Sequence, residues 1–215
     1  MSGKPAVIAV LAVTLFILGA SAAAQDEANQ LAGIVGRTFI SDQGIAGAIA
    51  PNNLIRSGAG ISFEVNYSHR FFGTAIYSVS GEVPAVFNLD EDLDSGNVVP
   101  AGYKQIFVTP AVRVNLFPST AVSPWVSLGG GFGHFSQSKN LLFYGTNPGS
   151  SSTTGVLQGG FGLDVNPFQR PRLRRFGFRL DVRDFWSGTP NFPLAPTGKS
   201  RQHNYFVGGG VVWHF

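Results

Sequence analysis

An all-β fold, an eight-stranded antiparallel up-and-down transmembrane β-barrel, is the fold class this sequence predicts, and three observations predict it. Charged residues make up 13% of the 215 residues and hydrophobic ones 44%. That is about half the roughly 25% charge of a soluble globular chain, too little to coat a wetted surface. The 28 glycines, 19 phenylalanines and single methionine oppose helices, because glycine costs roughly 1 kcal/mol in a helix interior while aromatic rings suit strands. Apolar residues then recur at every second position in eight separate stretches, which is the period of a strand.

Taken in order, residues 1–24 have the form of a cleavable signal peptide. Lys4 supplies the positive start, Ala6 to Leu18 the apolar stretch, and Ala22, Ala23 and Ala24 the small-residue cleavage site. The stretch falls short of the roughly 18 or more apolar residues of a spanning helix, so the chain is expected to be exported and cut before Gln25. Residues 25–215 form the barrel domain, since no later run is long and apolar enough to cross as a helix. The strands are expected near 30–40, 58–69, 73–83, 103–116, 124–137, 154–166, 175–186 and 203–215. Each has about the nine to eleven residues, or slightly more, that a tilted strand needs to cross a bilayer. Long connections rich in Gly, Pro, Asn, Asp and Ser follow the odd-numbered strands, at 41–57, 84–102, 138–153 and 187–202. Short ones fall at His69-Arg70-Phe71-Phe72, Phe117 to Ser123 and Asn166 to Arg174. Short turns at one rim and long loops at the other are the pattern of outer-membrane barrels, with the short side periplasmic.

Alternation alone does not say which face meets lipid; the polar face decides it. Phe176, Phe178, Leu180 and Val182 oppose Arg179, Asp181 and Arg183, and Ile106, Val108, Val112, Val114 and Leu116 oppose Gln105, Thr109, Arg113 and Asn115. Ile61, Phe63, Val65 and Tyr67 oppose Ser62, Glu64, Asn66 and Ser68; Leu157, Phe161, Leu163 and Val165 oppose Gln158, Gly160, Gly162, Asp164 and Asn166. Parity adds Arg37 to the polar side. Its arginines Arg37, Arg113, Arg179 and Arg183 nearly balance Glu64, Asp164 and Asp181. A lumen of eight strands is just wide enough for side chains to fill, and charges there must be paired. The sequence therefore predicts a salt-bridge network that plugs the barrel. Phe71, Phe72, Phe117, Trp125, Phe168, Phe176, Trp213 and Phe215 are expected as an aromatic girdle at the short-turn rim. The parity of Trp125 opposes that of Val126 and Leu128, which calls for a bulge beside Pro124. The glycine runs 129–131, 159–160 and 208–210 fit strand bending and close packing in a narrow barrel.

At the C-terminus Tyr205, Val207, Gly209, Val211, Trp213 and Phe215 share one face and the chain ends on the aromatic. This resembles the terminal signal of bacterial outer-membrane proteins, which implies the barrel assembly machinery as a partner through Phe215. With the signal peptide and the eight-strand layout, the mature chain resembles the small outer-membrane β-barrel family that includes the transmembrane domain of outer membrane protein A. The resemblance is architectural. It implies residence in the outer membrane of a Gram-negative-type cell envelope, among outer-membrane lipids and lipopolysaccharide.

Candidate chemistry is sparse. His134-Phe135-Ser136 places a base and a nucleophile on one strand face and resembles the His-x-Ser pair of outer-membrane lipid A deacylases. However, Gln137 stands where that family has Asn, and no Glu follows Glu91 to orient the imidazole. Asp90, Asp92 and Asp94 alternate as in a calcium loop, yet Ser95 replaces the required Gly and Ala101 the bidentate Glu. A solvated acidic loop is the expectation. Arg170, Arg172, Arg174 and Arg175 crowd one turn and suit solvent or inner-leaflet phosphates. His69, His203 and His214 are scattered and suggest no metal site. A formal charge of +3, or +2 once Lys4 is removed, implies no nucleic-acid partner, and the absence of cysteine excludes disulfides and thiolate metal sites. No catalytic, cofactor-binding or metal-ligating residue is assigned. The expected function is that of a non-enzymatic, monomeric outer-membrane barrel with a structural or surface-interaction role, its long extracellular loops forming the contact surface. A narrow, porin-like channel is the alternative, and a lipid A hydrolase stands behind it.

Overall fold

The computed structural model describes residues 28–41, 43–44, 54–57, 60–91, 93–94, 103–137, 151–167, 175–189 and 201–215. Eight long strands run through them: β1 Asn29–Ile40, β2 Gly60–Gly73, β3 Tyr77–Glu91, β4 in two segments, Tyr103–Val108 and Ala111–Leu116, β5 Val122–Gln137, β6 Ser151–Val165, β7 Phe176–Gly188 and β8 Arg201–His214. Each pairs antiparallel with its chain neighbours, and β1 pairs with β8, so the sheet closes on itself. Reciprocal backbone bonds between Asn29 and Phe215, at 3.0 and 2.9 Å, fasten that seam at the rim. Closure removes every free edge, the condition for putting a sheet into lipid. Two short ladders, joining Gln43–Gly44 with Leu54–Ser57 and the latter with Leu93–Asp94, extend two of the long connections where the sequence suggested only loop.

All eight expected strands are present, with shifted ends. β3 continues to Glu91, through Pro84, where the sequence suggested a stop. The Thr109 N–H donates to the Pro84 carbonyl at 3.2 Å, so the missing proline N–H faces the break in β4 at Thr109-Pro110. The Gly130 N–H donates to the Pro110 carbonyl at 3.1 Å, so the second missing donor faces β5. The pairs Glu82–Ala111 and Ala85–Val108 keep one register across the gap. The prolines thus thin the ladder without shifting it. The expected turn at His69 to Phe72 is also corrected. β2 runs on to Gly73, with a bulge between Arg70 and Phe72, and the chain turns at Thr74 to Ile76, where the Thr74 hydroxyl accepts from the Tyr77 N–H at 3.1 Å. The extra residue turns Phe71 and Phe72 both outward, a side-chain effect that period-two reading cannot anticipate.

Burial alternates along the strands, and the expected orientation holds. Ile61, Phe63, Val65, Val112, Val126, Leu128, Leu157, Phe161, Phe178, Leu180, Val207 and Val211 face outward and exposed, Leu128 by 73%. Ser62, Glu64, Asn66, Ser68, Gln105, Thr109, Arg113, Asn115, Gln158, Asp164, Arg179, Asp181 and Arg183 point inward and are buried. An apolar exterior around a charged interior inverts the soluble pattern and suits a lipid solvent. Narrowness explains many glycines: a Cβ on Gly131 would lie 2.0 Å from the Val108 carbonyl oxygen, and one on Gly210 equally close to that of Gly33. Gly159 differs, facing outward with nothing within 4 Å. Residues 1–24, where a signal peptide is expected, Phe168, Arg170, Arg172 and Arg174, and most of the four long connections lie outside the described residues.

Candidate functional site

The lumen holds the most concentrated chemistry, and all eight strands contribute to it. Its hub is Arg183 on β7. The guanidinium donates through Nη1 to Glu82 Oε1 at 2.8 Å and through Nη2 to Asp181 Oδ2 at 3.0 Å, while Nε stands 3.2 Å from Glu64 Oε1. The Glu64 contact is an ion pair without hydrogen-bond alignment. Glu82 also accepts from Asn66 Nδ2 at 3.0 Å and faces Arg113 Nη1 at 3.6 Å. A second knot lies nearer the short-turn rim. There Arg179 grips Asp164 with two parallel bonds of 2.6 and 2.8 Å, and Asn115 donates to the same carboxylate at 3.2 Å. Gln30 Oε1 joins the knots, accepting from Arg113 at 2.5 Å and from Arg179 at 3.1 Å.

Trp125 fills the space between the arginines. Its ring has the guanidinium carbons of Arg183, Arg179 and Arg113 within 5.2, 5.5 and 5.8 Å, and the side chain is only 2% exposed. This corrects its expected place in the girdle. β5 keeps an unshifted register past Pro124, so parity alone sends Trp125 inward, with no bulge. Room is made by Gly162, where a Cβ would meet the Leu180 carbonyl at 2.1 Å and the indole at 2.5 Å. A π face among three guanidiniums offsets their mutual repulsion through cation–π attraction.

On the long-connection side of Arg183 the lumen turns apolar. Phe107 and Phe185 stack at 4.6 Å, Phe135 meets Phe107 edge-on at 5.6 Å, and Phe206 lies buried with Val86 in the same cluster. Above this layer Asn204 donates to the Phe185 carbonyl at 3.0 Å and to the Ser187 hydroxyl at 3.1 Å. Charge, then aromatic surface, then amides fill the barrel in succession.

Two arginine and acidic assignments change. Arg37 is exposed on the outer face of β1, in step with Val35 and Phe39, because Thr38 takes the inward position. Glu82, on the inward face of β3, was missed, although Ser78, Ser80 and Glu82 alternate with Val79, Gly81 and Val83. Among the described residues four buried carboxylates therefore face three buried guanidiniums. The rest of the expected girdle that the structure describes, Phe71, Phe72, Phe117, Phe176, Trp213 and Phe215, is exposed at the short-turn rim. Phe117 takes a left-handed φ of 50° in its turn.

His134 and Ser136 share the outer face while Phe135 points inward, and His134 Nδ1 lies 2.9 Å from the Thr153 hydroxyl. Asp92 and the side chains of Asp90, Asp94 and Gln137 lie outside the described residues. His69 Nδ1 contacts Asn29 at 2.9 Å, beside Tyr67, which donates to the same oxygen at 2.9 Å. His203 Nδ1 lies 2.8 Å from Asp184 on the outer face. Among the described residues no three His, Asp or Glu gather to hold a metal ion.

Closed topology, apolar exterior and filled polar lumen define an eight-stranded β-barrel of the bacterial outer-membrane type. Among solved structures the chain is similar to Neisserial surface protein A, with a TM-score of 0.56 at 11% identity over 87% of this chain and 97% of that one. It is also similar to the outer membrane protein OprG from Pseudomonas aeruginosa, with a TM-score of 0.51 at 14% identity over 87% and 96%. The outer membrane enzyme PagL matches more loosely, with a TM-score of 0.43 at 15% identity over 85% and 97%. No family model and no curated protein matches the sequence.

Proposed function

We propose that the protein is a non-conducting, monomeric outer-membrane barrel with a structural or surface-contacting role, and that its four long connections form the contact surface. The observation that carries this reading is the filled lumen, in which Arg113, Arg179, Arg183, Phe107, Phe135, Phe185 and Phe206 are each at most 1% exposed. Ions crossing such an interior would have to part paired charges, at several kcal/mol for each one left uncompensated, and then pass a stacked aromatic layer. Function on a rigid scaffold of this kind resides in its loops. Planar-bilayer recording of purified protein tests the reading: no stepwise conductance is expected, and sustained ion-selective current would replace it with a narrow channel. Phe215, exposed at the rim and paired with Asn29, is suited to recognition by the barrel assembly machinery.

The reading includes no catalysis. His134 has Thr153 as its partner and no carboxylate among the described residues to orient it. Lipid A from cells expressing the protein should therefore keep its acyl chains by mass analysis, identically for wild type and His134→Ala.

A further inference from the structure

The luminal arginines all meet carboxylates. Two exposed ones, Arg37 and Arg201, meet none among the described residues. We propose that they, with the aromatic ladder beside them, form a site for a phosphorylated glycolipid headgroup on the outer face of β1, β7 and β8. This rests on the reading that the long-connection rim faces the outer leaflet.

The height of the site follows from β8, whose outward residues read Trp213, Val211, Gly209 and Val207, then Tyr205, His203 and Arg201. From Trp213 to His203 is ten residues, roughly 24 Å along the axis of a strand tilted about 45°. That is close to the roughly 25 Å apolar band of such barrels. His203 and its neighbours therefore stand where acyl chains give way to headgroups.

At that height the side chains are ordered against one another. The Arg201 guanidinium lies over the Trp186 ring at 4.2 Å, Trp186 and His203 stack at 6.2 Å, and His203 and Tyr205 stack at 5.7 Å within 7° of parallel. Asp184 lies 2.8 Å from His203 and forms no ion pair with Arg201. Stacking on the indole leaves the donor edge of Arg201 free for a bidentate oxyanion. Arg37 sits opposite Val207, one step inside the band between Val35 and Phe39. A guanidinium on a lipid face is costly unless its stem carries it toward the interface and an anion receives it. Along β8 its level and that of Arg201 are six residues apart, about 20 Å, and extension of Arg37 toward the rim shortens the gap. Two phosphates on one saccharide answer two such cations, and the flat aromatic wall between them faces the sugar.

Native mass spectrometry of the purified full chain in detergent micelles tests this, with bisphosphorylated lipid A, dephosphorylated lipid A and phosphatidylglycerol as probes. Wild type should retain bisphosphorylated lipid A, and Arg37→Gln with Arg201→Gln should lower the retained fraction at least tenfold. Arg175→Gln, at the opposite rim, should not change it. Millimolar inorganic phosphate should fail to displace the lipid. Each variant's intact barrel is checked by its unheated gel mobility. Equal retention by the double variant, equal retention of the dephosphorylated lipid or of phosphatidylglycerol, or displacement by free phosphate would each overturn the proposal. Orientation is read separately, by labelling Thr189→Cys on intact cells with an impermeant maleimide. Absence of labelling would refute the outer-leaflet reading whether or not the micelle experiment shows binding.

Discussion

Replacing Arg183 by leucine would remove an ion-pair partner from Glu64, Glu82 and Asp181 together, leaving Glu82 only the longer contact with Arg113. Breaking a buried pair from one side costs about 3–5 kcal/mol, so Arg183→Leu should lower the midpoint of urea unfolding followed by gel mobility, if it assembles at all. Glu82→Gln should cost more than Glu64→Gln. Glu82 accepts aligned bonds from Arg183 and Asn66, whereas neither Glu64 oxygen accepts any. The same titration should show the difference. Most of this network was legible residue by residue, because parity fixes a side for every strand position. Glu82 was legible too, on the strict alternation of Ser78, Ser80 and Glu82. Trp125 was misplaced when residue type overruled parity, and Arg37 when the parity of β1 was taken in the wrong phase, because Ala32 and Ile34 place apolar residues on its inward face as well. In the barrel, Arg37 follows Val35 and Phe39 outward and Trp125 follows Ser123 and Ser127 inward, where three guanidiniums meet its ring, so neither violates the alternation.

At the level of the strands, the pair Pro84 and Pro110 sets a local weakness. Each proline leaves one reciprocal ladder bond unmade, at adjacent rungs of β3, β4 and β5. Hydrogen exchange should therefore be faster at Ala85, Thr109 and Ala111 than at Val65 or Val182, where the ladders run unbroken. Equal protection along β4 and β7 would show that the neighbouring bonds carry the gap. The periodicity that identified all eight strands could not place their ends. A period of two says which way a side chain points, whereas strand length depends on whether a partner continues alongside. β3 runs through Pro84 because the Pro84 carbonyl still has Thr109 to receive a bond from, and β2 passes His69 because a bulge absorbs the aromatic pair.

For the whole molecule the decisive property is the inverted distribution of polarity. Leu128→Arg, at a fully lipid-facing position near mid-strand, should cost about 2–4 kcal/mol and lower the folded fraction recovered in vesicles. Ser127→Ala, its inward neighbour, removes a hydroxyl that Gln158 and Arg183 contact and should cost about 1 kcal/mol, less than Leu128→Arg. Orientation was legible because charges of both signs shared one face. The aromatic layer was not: Phe107, Phe135, Phe185 and Phe206 come from four strands and meet only after closure, so no local pattern announces them. The seam between β1 and β8 has a further meaning for how the polypeptide acquires its shape. Its two ends are neighbours in space, so a cut in any long connection combined with a bridge from Phe215 to Asn29 changes the order of the strands and no contact between them. Circular permutants of this kind should reach the same cylinder, whereas a chain shortened before β8 has no partner for β1 and leaves two raw sheet margins inside hydrocarbon.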